Sequence, residues 1–129
     1  MVNTNAFDYI NVLDKAADAA WLRNEAIANN IANVDTPNYK RQDVDFEDVL
    51  GKELGRRRFE SMDRKVAGVK TSRLNVGTYT DAEAFSYRLD GNNVDIENEN
   101  VLLAQNQLKY TGLINSIKAE FSNLKTVMK

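Results

Sequence analysis

Four carboxylates crowd the stretch "DVDFED" at 43–48: Asp43, Asp45, Glu47 and Asp48. A pair of carboxylates at the right separation carries glycoside hydrolysis, and a set of them is the usual ligand cage of calcium. No sugar-stacking aromatics surround this cluster in the sequence, and its spacing suits the start of a short helix, where acidic side chains complement the backbone dipole. A second candidate, "DGNNVDIE" at 90–97, alternates Asp90 and Asn92 as a calcium loop does. There Val94 occupies the next ligand position and the glycine comes too early, so a turn followed by a helix cap is the better reading. A third, "GRRRF" at 55–59, has the charge to meet phosphates or other anions, although the usual meaning of such a run is a solvated loop. Trp21 reads as an inter-helix packing residue rather than a ligand platform.

The remaining inventory narrows the chemistry further. The 129 residues include no cysteine and no histidine, which removes thiolate nucleophiles, disulfides, Cys/His zinc sites and the commonest general acid/base. With no glycine-rich phosphate loop and no candidate triad either, the expectation is a protein that is not an enzyme, with no catalytic residues, metal or cofactor. A formal net charge of -2 with 28% charged residues gives no general reason to expect nucleic acid or an anionic membrane as partner. The first thirty residues lack a cationic start followed by a continuous apolar stretch. Neither a cleaved secretory signal nor a membrane span is expected there, so the cytoplasm is the default location unless export proceeds without cleavage.

These side chains must be positioned by helices. From residue 6 to 34 the residues Ala6, Ile10, Leu13, Ala17, Ala20, Asn24, Ile27, Ile31 and Val34 keep a 3-4 spacing, the a and d positions of a heptad with one polar interruption at Asn24. At the other end Ile96, Leu103, Tyr110, Ile117 and Leu124 read as d, and Gln107, Ile114, Phe121 and Met128 as a, with Asp95 as the N-cap. The expected fold is therefore mainly α: long N- and C-terminal heptad helices pairing as an antiparallel coiled coil, with a short irregular or β-hairpin centre. The expected organisation is an N-terminal helix over 1–34, a centre over 35–94 and a C-terminal helix over 95–129, all one structural unit. The heptads alone also permit pairing in trans. The expected seam comprises Ile10, Leu13, Ala17, Ile27, Ile31, Leu103, Tyr110, Ile114, Ile117, Phe121 and Leu124.

In the centre, "DTPN" at 35–38 predicts a turn with positive φ at Asn38, and a short helix is expected over about 45–54. Residues 52–73 carry eight cationic side chains against three acidic ones and few apolar anchors, and read as a mobile solvated loop. Phe85, Tyr87 and Leu89 alternate with polar residues as a strand does, with Val66 to Thr71 as its prospective partner.

A single helical hairpin does not use all of its apolar residues. Phe7, Val12, Trp21, Leu22, Val101, Leu102, Leu108 and Leu113 fall off the seam, where a helix with one neighbour would be polar. Asn29, Asn30 and Asn33 also lie off the seam, although asparagine is a mediocre helix former. Their amides suit bonds to neighbouring subunits, or to the chain leaving the helix at Asp35 and Thr36.

The stretch "ANNIANVDTPNYKR" at 28–41, followed by "DVDF", resembles the N-terminal signature of the bacterial flagellar rod and hook proteins, approximately A-x-N-I-A-N-x-x-T-P-G-Y. The tail "DGNNVDIENENVLLAQNQLKYTGLINSIKAEFSNLKTVM" looks like the matching end of the proximal-rod members. Together they cover roughly residues 6–50 and 88–129, and the short centre favours the proximal-rod members over the distal-rod and hook proteins. Asn38 stands where the family usually has glycine, and both tolerate the left-handed geometry. The resemblance implies a structural subunit that polymerises through its terminal helices into the shaft between membrane ring and hook, and that is required for motility. It also implies export through the flagellar type III apparatus without signal cleavage and a place in the periplasmic rod of the basal body. The implied partners are further copies of the chain, other rod proteins (FlgC and the distal rod), the membrane-ring/rod junction protein FliE and the export apparatus, with no nucleic acid and no small-molecule substrate. On that reading Trp21, Leu22, Asn29, Asn30, Asn33, Thr36, Pro37, Tyr39, Leu102, Leu108 and Leu113 are subunit contacts, and alanine at Asn30 or Asn33 impairs assembly while leaving or raising helicity. The alternative is a cytoplasmic helical-bundle adaptor or secretion chaperone, which would fold stably alone with protected ends.

Overall fold

The computed structural model describes residues 5–81 and 88–129. Two long helices dominate it, α1 (Asn5–Ala32) and α4 (Ile96–Val127). Between them lie β1 (Gln42–Val44), α2 (Phe46–Gly55), α3 (Met62–Ala67), a 3-10 turn at Thr71–Arg73 and β2 (Thr78–Thr80). The long helices run antiparallel in one chain, since Asn30 meets Glu99 and Ala20 meets Asn106. The strands also pair antiparallel, with Gln42 opposite Thr80, Asp43 opposite Tyr79 and Val44 opposite Thr78.

Helix α1 has two buried faces. Ile10, Ala17, Ala20 and Ile27 follow the expected heptad and are buried. Ala16 and Ala19 lie on a second face, where they pack with Val44, Phe46 and Leu74 of the central segment. The small alanines let strand and turn approach the helix axis closely. The several neighbours that the off-seam residues demanded are thus partly supplied by the chain itself. Val12, Leu22 and Leu113 pack against this same cluster, so Leu22 and Leu113 already serve the subunit's own core.

The seam on α4 differs from the expected one at the a positions Gln107, Phe121 and Met128, while Ile114 is half-buried as expected. Its most buried residues are Glu99 and Asn106, at 0% and 4% exposure. With Leu103, Tyr110, Leu113, Ile117 and Leu124 at least half-buried, the true repeat runs 99, 103, 106, 110, 113, 117, 124. The expected d residues Leu103, Tyr110, Ile117 and Leu124 hold, but Ile96, the first of the d set, is exposed, and so are Gln107, Phe121 and Met128, Phe121 by 52%. At Asn106 and Gln107 both candidates are polar, and at Glu120 and Phe121 the apolar residue is the exposed one, so hydrophobic spacing alone does not place this side of the repeat. Asn106 Nδ2 donates to the Ala20 carbonyl at 2.8 Å and reaches Asn24 Oδ1 at 3.5 Å, giving the polar interruption at Asn24 its partner. A buried amide pair of this kind fixes the register of two helices.

Local capping agrees with the sequence. Asp95 accepts from the backbone N–H groups of Glu97 and Asn98 at the start of α4. Asn38 has a φ of 62°, as the turn requires. The basic segment is not a bare loop: α2 continues to Gly55, and Ser61 caps α3. The expected hairpin is also replaced. Val66 lies in α3, Thr71 opens the 3-10 turn, and Leu89 is exposed in a turn, while Phe85 and Tyr87 fall outside the described residues. The actual pairing uses β1 and β2, because Val44 is the buried residue of that ladder. Among the described residues no helix is long and apolar enough to cross a membrane.

Candidate assembly site

The end of α1 leaves backbone carbonyls without helical partners. Asn92, fully buried, reaches them from the loop before α4, its Nδ2 donating to the carbonyls of Asn33 at 2.9 Å, Val34 at 3.0 Å and Thr36 at 2.9 Å. Its Oδ1 accepts from the Val94 N–H at 2.7 Å, which sets the entry into α4. The two loops touch back to back: the Asn38 N–H donates to the Asp90 carbonyl at 2.8 Å, and Lys40 donates to the Gly91 carbonyl. Gly91 has a φ of 78°, and a Cβ there would lie 2.5 Å from Asn38 Oδ1, so this crossing needs glycine.

Beneath the crossing sits a second polar layer. Asn30 Nδ2 donates to the Gln42 carbonyl at 2.8 Å and to Glu99 Oε2 at 3.2 Å, while its Oδ1 accepts from the Gln42 N–H at 2.9 Å and the Tyr39 hydroxyl at 3.1 Å. That fills the hydrogen-bonding capacity of the amide within one chain. Asn30 is therefore a core residue and not a subunit contact, and its alanine variant is expected to lose stability rather than gain helicity. Arg41 joins the layer to β2: Nε donates to Glu99 Oε1 at 2.6 Å, Nη1 pairs with Asp81, and Nη2 lies 3.4 Å from Asp43. The Arg41 N–H donates to Asn93 Oδ1 at 2.7 Å, and Asn93 Nδ2 to the Asp81 carbonyl at 2.9 Å. Burial works against the Arg41 charge, but the Glu99 and Asp81 carboxylates outweigh it and hold the guanidinium above its usual pKa. Burial, then the Glu99 charge, raises the Tyr39 phenol above 10.0. Tyr39 is half-buried, and its hydroxyl is committed inside the chain.

The acidic stretch is used structurally. Arg23 donates to Asp43 at 3.2 Å and grips Glu47 at 2.9 and 2.8 Å in the forked geometry that suits guanidinium and carboxylate. Lys109 of α4 also pairs with Glu47, which ties α2 to both long helices. Asp45 stands at the N-cap of α2 and Asp48 in its first turn. Among the described residues no group of three or more histidine, cysteine or acidic side chains could hold a metal. "DGNNVDIE" forms the expected turn and cap, with Asp90 accepting from the Asn92 N–H at 3.1 Å.

The other expected contact residues divide. Asn33 joins the last turn of the helix to the chain leaving it: its Nδ2 donates back to the Asn29 carbonyl of α1 at 2.8 Å and its Oδ1 accepts from Thr36 at 3.1 Å. Asn29, Thr36 and Pro37 are exposed, and Leu102 is half-buried beside Ile27 and Lys109. Trp21 is 58% exposed and packs its ring on Tyr110 at 6.1 Å between centroids, while Leu108 is 76% exposed. Asn92 and Arg41 were missed as organising residues. The first lay in a stretch that reads as a turn, and the second at the edge of a motif whose partners come from distant sequence.

The architecture defines a class first: a pair of long helices locked at one end by a polar crossing, with apolar side chains left uncovered along the rest. A family model described as "Flagella basal body rod protein" matches residues 10–40, the stretch that forms much of α1 and its exit. The chain is 36% identical over 119 residues to the flagellar basal body rod protein FlgB of Bacillus subtilis, covering 92% of each chain. It is 34% identical to FlgB of Borreliella burgdorferi, over 87% of this chain and 89% of that one, and 31% identical to FlgB of Escherichia coli, over 83% of each. The chain belongs to the flagellar basal body rod protein family, on the FlgB branch.

Proposed function

We propose that the chain is a structural subunit of the flagellar basal-body rod, polymerising through α1 and α4 in the periplasm after export without signal cleavage. Other rod proteins are its partners, with FlgC, the junction protein FliE and the flagellar type III export apparatus as the specific neighbours. It performs no catalysis. The observation that carries this reading is the uncovered apolar surface of the helix pair, with Trp21, Val101, Leu108 and Phe121 each more than half exposed. Apolar exposure on this scale marks an interaction face. The retained subunit contacts are Trp21, Asn29, Thr36, Pro37, Leu102 and Leu108, joined by Phe121.

The test is deletion of the gene in the source bacterium, with swimming scored and membrane preparations imaged by electron microscopy before and after complementation. Membrane rings lacking a rod, in cells that swim only when the gene is restored, are expected. Intact basal bodies with normal swimming would overturn the reading in favour of an adaptor.

A further inference from the structure

Two surface features of this chain complement each other and are not occupied by each other within one copy. The first is the tip between α2 and α3. Phe59 is fully exposed there, at 101%, Met62 is 57% exposed, and Arg56, Arg57 and Arg58 precede them in sequence. Among the described residues Arg56 pairs with Glu53 and Arg57 with Glu60, each three residues away and at 3.1 Å. Exposed pairs of that kind contribute little and yield readily to a better acceptor. Residues 52–73 carry eight cationic against three acidic side chains in a chain of net charge -2, so the remainder of the molecule is acidic.

The second feature is a shallow groove along α1 and α4. Its floor is Ala17, Trp21, Tyr110, Ile114 and Ile117, and Asp14 and Asp18 stand on its rim. Asp14, Asp18, Trp21 and Glu25 are spaced by four, three and four residues, which places them on one stripe of α1, and all are exposed. No basic residue interrupts that stripe. An apolar floor with an anionic rim fits an aromatic knob with a cationic base, and the exposed Trp21 ring also offers its face to a guanidinium.

The geometry points to a second copy of this chain as the occupant: the Arg56–Met62 tip of one subunit docks in the Asp14–Trp21–Ile117 groove of the next. Phe59 covers the apolar floor, and the arginines meet Asp14, Asp18 and Glu25. Tip and groove are different surfaces, so the contact is head-to-tail and leaves a free tip and a free groove at the ends, the geometry of an open polymer. This assignment rests on the rod-subunit reading and gives the central segment a part in it.

Because the chain lacks cysteine, engineered thiols report the contact cleanly. Copies carrying Glu60→Cys, beside Phe59, are mixed with copies carrying Asn11→Cys, one turn before Asp14, and oxidised; neither side chain is buried, so folding is not at stake, and Phe59 and the groove carboxylates stay in place. The mixed disulfide is expected at about tenfold the yield obtained when Glu60→Cys is paired with Thr80→Cys, an exposed position on β2. A chain carrying both Glu60→Cys and Asn11→Cys should give a ladder of oligomers. Arg56→Glu with Arg58→Glu on the tip should remove the excess, as should high salt, and Asp14→Lys with Glu25→Lys on the groove copy should restore it. Yields equal to the Thr80→Cys control would overturn the docking. Swimming in the deletion strain separates this from the underlying reading. If the unaltered gene fails to restore motility, the rod role fails; if it restores motility and the Arg56→Glu, Arg58→Glu variant swims equally well, only the docking fails.

Discussion

The two ends of the helix pair are built on opposite principles. Where α1 ends and α4 begins, Asn30, Arg41, Asn92 and Glu99 are buried or nearly so and bonded across the chain. Toward the start of α1 and the end of α4 the contacts are apolar and half-covered, with Phe7, Phe121 and Met128 exposed. Polar side chains demand one geometry, because an unmatched buried donor or charge is expensive, whereas apolar surfaces accept many partners. The first end therefore sets register and direction within the subunit, and the second keeps its surface for other chains.

That comparison is broken most directly at Glu99. Replacing it by alanine strips Arg41 and Asn30 of their common acceptor and is expected to lower unfolding stability by about 3–5 kcal/mol, read as a fall in the denaturant midpoint by circular dichroism. Asn92→Ala and Asn30→Ala each leave buried backbone groups unmatched and should lower stability by about 2–3 kcal/mol in the same measurement. Gly91→Ala forces a Cβ against Asn38 at positive φ and should lower stability by about 1–2 kcal/mol. At the opposite face, Leu108→Ser should change monomer stability by no more than about 0.5 kcal/mol while reducing rod assembly scored by electron microscopy. A larger stability loss for Leu108→Ser than for Asn92→Ala would reverse the contrast between the regions.

The smallest effect is a titration. The Tyr39 phenol has a folded-state pKa above its ordinary 10.0, so its contribution is fully present below that value and disappears as pH rises through the raised one. Thermal melts at increasing alkaline pH should show stability falling through that window, and Tyr39→Phe should flatten this part of the profile.

How much was legible beforehand depends on whether a residue's role is local. The Asp95 cap, the Asn38 turn and the d positions Leu103, Tyr110 and Ile117 follow from spacing and side-chain chemistry over a few residues, and the structure has them. On α4 Ile114 is half-buried as expected, but the burial of Glu99 and Asn106 went unread because they are polar, and burial of a polar residue shows only once its partner is known. Asn30 was singled out correctly as a residue too costly for an isolated helix. Its acceptor lies 69 residues away, and no periodicity within α1 reveals it. Leu22 and Leu113 were assigned to neighbouring subunits because the central segment, with its two short strands and short helices, carried too weak a pattern to be recognised as packing against α1.

The distance between Asn30 and Glu99 also has a consequence in time. A chain made from its N-terminus presents Asn30 long before Glu99 exists, and at ordinary synthesis rates of 5–20 residues per second the next 69 residues, up to and including Glu99, take roughly 3–14 seconds. Throughout that interval Asn30 lacks its acceptor, the end of α1 has no Asn92 to receive its carbonyls, and the subunit cannot close. Closure has to wait for the last part of the chain, and a chain cut before α4 has no route to it.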